Sequence, residues 1–167
     1  MIAVLLNLFR AARLAHAIHV AHPDVPAARV WPAAVAIVAE ARGYDPELLA
    51  AIAWAESRFE LTAVNARTGV CGPGQTRSTR AVCRRIAAGD ARLGYREMVR
   101  ILDGARAFCA RRGDRSLTCA LAGYASGPAG VRGRWYRGPR AVLRRADRLR
   151  VLSLGQRPGP VSRRSAS

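Results

Sequence analysis

The sequence predicts a mainly α, compact helical domain, on three observations. Its apolar stretches, such as AARLAHA, WPAAVAIVAEA and PELLAAIAWAE, are built from Ala and Leu rather than Val, Ile and Thr, which is helix-former usage. No long alternation of apolar and polar residues competes with that pattern. The chain has 167 residues, half of them hydrophobic, enough for one domain with a core of its own.

The elements follow in order. Residues 2–21 predict a first helix, broken by HPDVP. Pro32 predicts the start of a second, stopped near Arg42 by Gly43, because Pro fits a first helical turn and Gly the residue past the last. Asp45-Pro46 restarts the chain as a third helix running to about Ser57, with Asp45 as its N-cap. Residues 60–77, with NARTG and CGPGQ, read as loop. Ser78 or Thr79 caps a helix to about Ala88, Asp90 caps a long one to about Arg112, and Ser116 caps another to about Ala125. SGPAG is a turn, Gly138-Pro139 opens a basic helix to about Arg150, and residues 155–167 predict disorder.

The net charge is +17, and every basic residue is Arg. Residues 131–167 hold 11 Arg against the single acid Asp147. Such a surface attracts polyanions: nucleic acid, anionic lipid or an anionic cell wall. The apolar stretch IAVLLNLF is too short to span a bilayer. It also lacks the preceding charge of a secretory signal, so an amphipathic helix and no transmembrane segment are expected. His16, His19 and His22 carry the third ring away from the first two, with only Asp24 nearby, and no metal or other cofactor is expected.

The four cysteines fall into two local pairs, Cys71 with Cys83 and Cys109 with Cys119. Their spacings are not the short ones of a zinc ribbon. Two small disulfide loops are expected, with free thiols as the alternative; disulfides would place the protein outside the cytosol.

One charge stands out. At 100° per residue, positions 49, 52, 53 and 56 fall within a sector roughly 100° wide, so Glu56 is directed where Leu49, Ile52 and Ala53 go. It also sits near a helix C-terminus, where the macrodipole disfavours an anion. Both effects raise a carboxyl pKa and prepare a general acid. The plainer alternative is a last-turn Glu leaning into solvent.

The flanking residues add a resemblance. Glu56-Ser57-Arg58-Phe59 continues through Ala63, Asn65 and Gly69 into Gly72-Pro73-Gly74-Gln75, and Ala122-Gly123-Tyr124-Ala125-Ser126-Gly127-Pro128 follows much later. With Asp90-Ala91-Arg92-Leu93-Gly94 opening the long helix, this order resembles the soluble lytic transglycosylase family, which shares a core fold with goose-type lysozymes. The resemblance covers roughly residues 30–131. It departs from the family pattern at Pro73, Gly74 and Thr76 and at Ala125 and Ser126, where Asn and Ala are usual.

The resemblance implies a lysozyme-like catalytic domain at 28–131. An N-terminal helical segment at 1–27 precedes it, and an Arg-rich extension at 132–167, partly disordered, follows. It implies peptidoglycan glycan strands as substrate, cut between N-acetylmuramic acid and N-acetylglucosamine with formation of a 1,6-anhydro sugar. Glu56 would act as the single acid and base. Ser57, Gln75 and Tyr124 would bind substrate, although Ser57 and Gln75 could instead bond the backbone and hold the loop, and Tyr124 could donate to Glu56. Trp54 points away from the Glu56 face and is expected in the core. A hydrolase would need a second carboxylate from Glu60, Asp90, Glu97, Asp103 or Asp114. A non-enzymatic reading remains: Arg132, Arg134, Arg137 and Arg140 around Trp135 and Tyr136 suit an anionic envelope polymer or nucleic acid. The expected location is the cell envelope or outside the cell, a phage particle included.

Overall fold

The computed structural model describes residues 2–65, 67–132 and 137–156. Seven helices account for most of them: α1 (Ile2–Ala21), α2 (Ala27–Glu40), α3 (Pro46–Ser57), α4 (Arg80–Ala87), α5 (Ala91–Ala110), α6 (Leu117–Arg132) and α7 (Arg137–Ser153). The mainly α class is therefore the observed one. Helix α3 runs through the middle of the core, with Leu49, Ala50, Ala51 and Ala53 fully buried. Small Ala side chains on its several faces let α2 and α7 pack close. α1 pairs with α2 and also touches α3, while α5 packs between α6 and α2.

Three short strands occupy the stretch that reads as loop in the sequence. β1 (Val64–Asn65), β2 (Val70–Cys71) and β3 (Thr76–Arg77) form an antiparallel sheet in that order, registered by Val64 opposite Cys71 and Cys71 opposite Thr76. Two-residue strands leave no period to read. The sheet and α4 make a small lobe around Cys71, Ile86 and Leu93. The Cys71–Cys83 disulfide ties β2 to α4, and Cys109–Cys119 ties the end of α5 to α6; both expected pairs form.

Capping follows the sequence in part. Thr79 accepts from the Val82 amide at 3.3 Å, Asp90 from Leu93 at 3.0 Å and Ser116 from Cys119 at 3.1 Å. Asp45 makes no capping bond and pairs with Arg150 of α7 instead. Pro32 does not start α2 but lies inside it; near the N-terminus, Pro removes only one helical bond. The α6 segment breaks at Gly127, whose φ of 61° and ψ of −160° are not helical, so the turn expected at SGPAG is a kink there.

The largest departure concerns α7. The sequence reading assigns residues 132–167 to an extension, yet Ala146 and Leu149 are in the main core, with Val142, Leu143 and Leu152 packed against it. Their spacing is that of one helix face. Likewise Ala11, Leu14, Ala17 and Ile18 of α1 are core residues. The division at residues 27 and 131 is thus not a division of the core. Arg134, Trp135 and Tyr136 lie outside the described residues, as do residues 157–167, on which most of the expectation of disorder over 155–167 falls.

Candidate active site

Glu56 occupies the last turn of α3. The helix stops there because Arg58 turns left-handed, with φ of 53°, and its amide bonds back to the Trp54 carbonyl at 3.1 Å. Phe59 follows, also at positive φ, and is driven fully into the core. Burial of that ring offsets the strain of two consecutive left-handed residues. The turn thereby fixes where α3 ends and where Glu56 points.

The expectation that Glu56 lies among apolar side chains needs correcting. Leu49, Ile52 and Ala53 are in the core, but one turn later α3 runs out of the packed interior. Glu56 is exposed and lines a cavity of about 310 Å³. The walls are Ile52, Leu121, Pro139 and Val142, with Trp54, Tyr124 and Arg145 as the polar-tipped members. The Glu56 carboxyl is open to solvent yet flanked by the cavity wall. That partial desolvation holds its pKa above the ordinary glutamate value. Among the described residues, Glu56 is the one carboxylate lining this cavity.

Other acids are engaged elsewhere. Glu60 pairs with Arg29, Asp103 accepts from the Tyr44 hydroxyl at 2.7 Å, and Glu97 accepts from Ser78 and Arg100. Asp90 caps α5, and Asp114 accepts from the Ser116 amide at 2.8 Å. Glu40 is buried on α2 beneath Arg92 and Arg96 of α5; their guanidinium groups hold its carboxyl below the usual range.

Ser57 and Tyr124 perform one task from two sides. The Ser57 hydroxyl donates to the Pro73 carbonyl at 2.8 Å, and the Tyr124 hydroxyl to the Gly74 carbonyl at 2.6 Å. Together they fasten the 72–75 loop to the Glu56 helix and to α6. Tyr124 therefore does not donate to Glu56. It lines the same cavity, and burial together with the nearby Glu56 charge pushes its phenol well above its ordinary pKa. Gln75 folds onto its own loop, Nε2 donating to the Gly72 carbonyl at 3.0 Å, and does not line the cavity.

The loop residues that depart from the family pattern fit each other here. A Cβ on Gly94 of α5 would come within 2.6 Å of Pro73 Cδ, so the proline ring lies directly on that glycine. A Cβ on Gly74 would likewise collide with the Tyr124 hydroxyl and with Met98 Cγ. A larger residue at either glycine would lift the loop.

Sequence reasoning missed Arg145; Trp54, expected in the core, does pack against the core and also lines the cavity. Trp54 is half-buried in the cavity wall, stacked between the His22 ring at 4.5 Å and the Arg145 guanidinium at 3.9 Å. His22 is buried and its pKa is lowered to about 4, first by desolvation and then by Arg145. His16 and His19 are exposed, so the three histidines do not converge. The only sequence signal for Arg145 was the apolar spacing of Val142, Ala146 and Leu149, which marks α7 as packed. It does not say against what.

No protein-family model, no curated protein and no solved structure matches this chain.

Proposed function

We propose that the protein is a peptidoglycan lytic transglycosylase with Glu56 as its single acid and base. The observation that carries this reading is a solitary carboxyl, its pKa raised by partial desolvation, in a cavity with no second carboxylate among the described residues. Protonated Glu56 gives its proton to the glycosidic oxygen between N-acetylmuramic acid and N-acetylglucosamine as that bond breaks. The resulting carboxylate then takes the proton of the muramyl C6 hydroxyl, whose oxygen closes onto C1 as a 1,6-anhydro ring. No water is consumed. Most glycosidases need a second carboxylate to hold water or attack the sugar; here the nucleophile is tethered in the substrate, which can be worth about 7–11 kcal/mol. Ser57, Gln75 and Tyr124 act by holding the loop beside the cavity rather than by the direct sugar contacts the resemblance implies.

Supporting features are secondary. Two disulfides suit an oxidising location such as the cell envelope, the exterior or a virion. Exposed Arg140, Arg144 and Arg148 on α7 suit an anionic envelope polymer or nucleic acid along that helix.

Purified sacculi digested with the protein and analysed by mass spectrometry test the reading. Anhydro ends are expected, and Glu56→Gln should lower the rate about 10²–10⁴-fold. Reducing ends would make the protein a hydrolase. Intact sacculi with folded protein would overturn both enzyme readings and leave the basic binding module.

A further inference from the structure

Among the described residues, the first turns of α1 have no partner in the fold. Every residue from Ile2 to Arg10 is exposed, including Ile2 at 77%, Leu5 at 62%, Leu6 at 57% and Phe9 at 62%. The core-facing residues of α1 begin only at Ala11. Exposed apolar clusters of this kind mark contact surfaces. At 100° per residue, positions 2, 4, 5, 6, 8 and 9 cover an arc of roughly 200°. A helix seated in a protein groove presents a narrower stripe, of the i, i+3, i+4, i+7 type. A surface apolar over more than half its circumference suits a medium that surrounds it.

The base of this stub is basic. A groove of about 670 Å³ lies there, lined by Arg10, Arg13, Arg42 and Arg150 and by Tyr44, Asp45 and Glu47. Asp45 is taken by Arg150, and Glu47 accepts from Ser153 at 2.6 Å. Arg13 donates to the Ser153 carbonyl. Arg10, Arg13 and Arg42 have no carboxylate partner among the described residues, and the chain as a whole carries +17. Residues 2–9 reach about 12 Å along the axis, less than half the thickness of a bilayer core. No helix of the described residues is long and apolar enough to cross a membrane.

We infer that the Ile2–Phe9 end of α1 inserts into one leaflet of an anionic phospholipid surface, with Arg10, Arg13 and Arg42 at the level of the headgroup phosphates. Apolar burial holds the stub in the leaflet, and the arginines select the anionic headgroup. The surface is separate from the Glu56 cavity, so the inference stands whatever that cavity does.

The test uses the full chain and vesicles of phosphatidylcholine alone or mixed equally with phosphatidylglycerol, read by co-sedimentation. The protein should bind the mixed vesicles, and Leu5→Asp/Phe9→Asp should weaken that binding at least about tenfold. Arg10→Gln/Arg42→Gln should remove most of the preference for phosphatidylglycerol. All four substituted residues are exposed, and circular dichroism checks that each variant folds. A polarity-sensitive dye on Leu5→Cys should shift to the blue on mixed vesicles. Binding that the aspartates leave unchanged, with no dye shift, would reduce the contact to charge adsorption and overturn the inference. So would absence of binding, or a lipid-free dimer that the aspartates dissociate, which would make a second copy the occupant.

Discussion

At the scale of single residues, the proposed chemistry falls to Glu56 and its hydroxyl-bearing neighbours. Raising a carboxyl pKa by burial has a thermodynamic consequence. Below the unfolded-chain value, near 4.3, both folded and unfolded chains hold the proton and folding is unaffected. As pH rises from there, the unfolded chain releases a proton that the folded protein still keeps, and stability is lost until the raised value is passed. Glu56→Gln suffers no such loss. Its melting temperature should therefore exceed the wild-type value by more at pH 7 than at pH 3.5, as read by calorimetry across that range. A constant gap would mean that the cavity does not perturb this carboxyl. Glu40 works in the opposite sense, since Arg96 and Arg92 depress its pKa, but its environment is an ion-pair cluster away from the cavity.

Elements place these side chains through close approaches rather than through many contacts. The 72–75 loop is held by two hydroxyl-to-carbonyl bonds and seated on Gly94. Gly74 admits no side chain: a Cβ there would lie 2.8 Å from Met98 Cγ and closer still to the Tyr124 hydroxyl. Gly74→Ala should cost about 1–3 kcal/mol of stability, measured by denaturant unfolding. It should also lower sacculus digestion beyond what the stability loss explains, because the carbonyl that Tyr124 holds is displaced. A stable variant with full activity would show that the loop does not support the site. The sequence marks this loop by its Gly and Pro content, but not what touches it. The three strands also escaped, because two residues each leave no period to read.

For the molecule as a whole, α7 decides the shape of the cavity. It crosses α3 and α1, buries Ala146 and Leu149, and sets Pro139, Val142 and Arg145 opposite Glu56. Leu149→Ala should cost about 2–5 kcal/mol, read as a shift in the denaturant midpoint at unchanged slope. A cost below about 0.5 kcal/mol, usual for a surface change, would return this helix to the status of an appendage.

The helical class, the ends of most helices, both cysteine pairs and the candidacy of Glu56 were legible in the sequence, because periodicity, capping and spacing are local properties of a chain. The partners of Ser57, Gln75 and Tyr124, the cavity wall from α7 and the Trp54 stack were not. Tyr124 meets Gly74 across 50 positions, and Arg145 comes to Trp54 from another helix altogether. Which side chains meet across such distances depends on how whole helices pack. The composition of a helix limits that packing, and only the folded chain selects one arrangement.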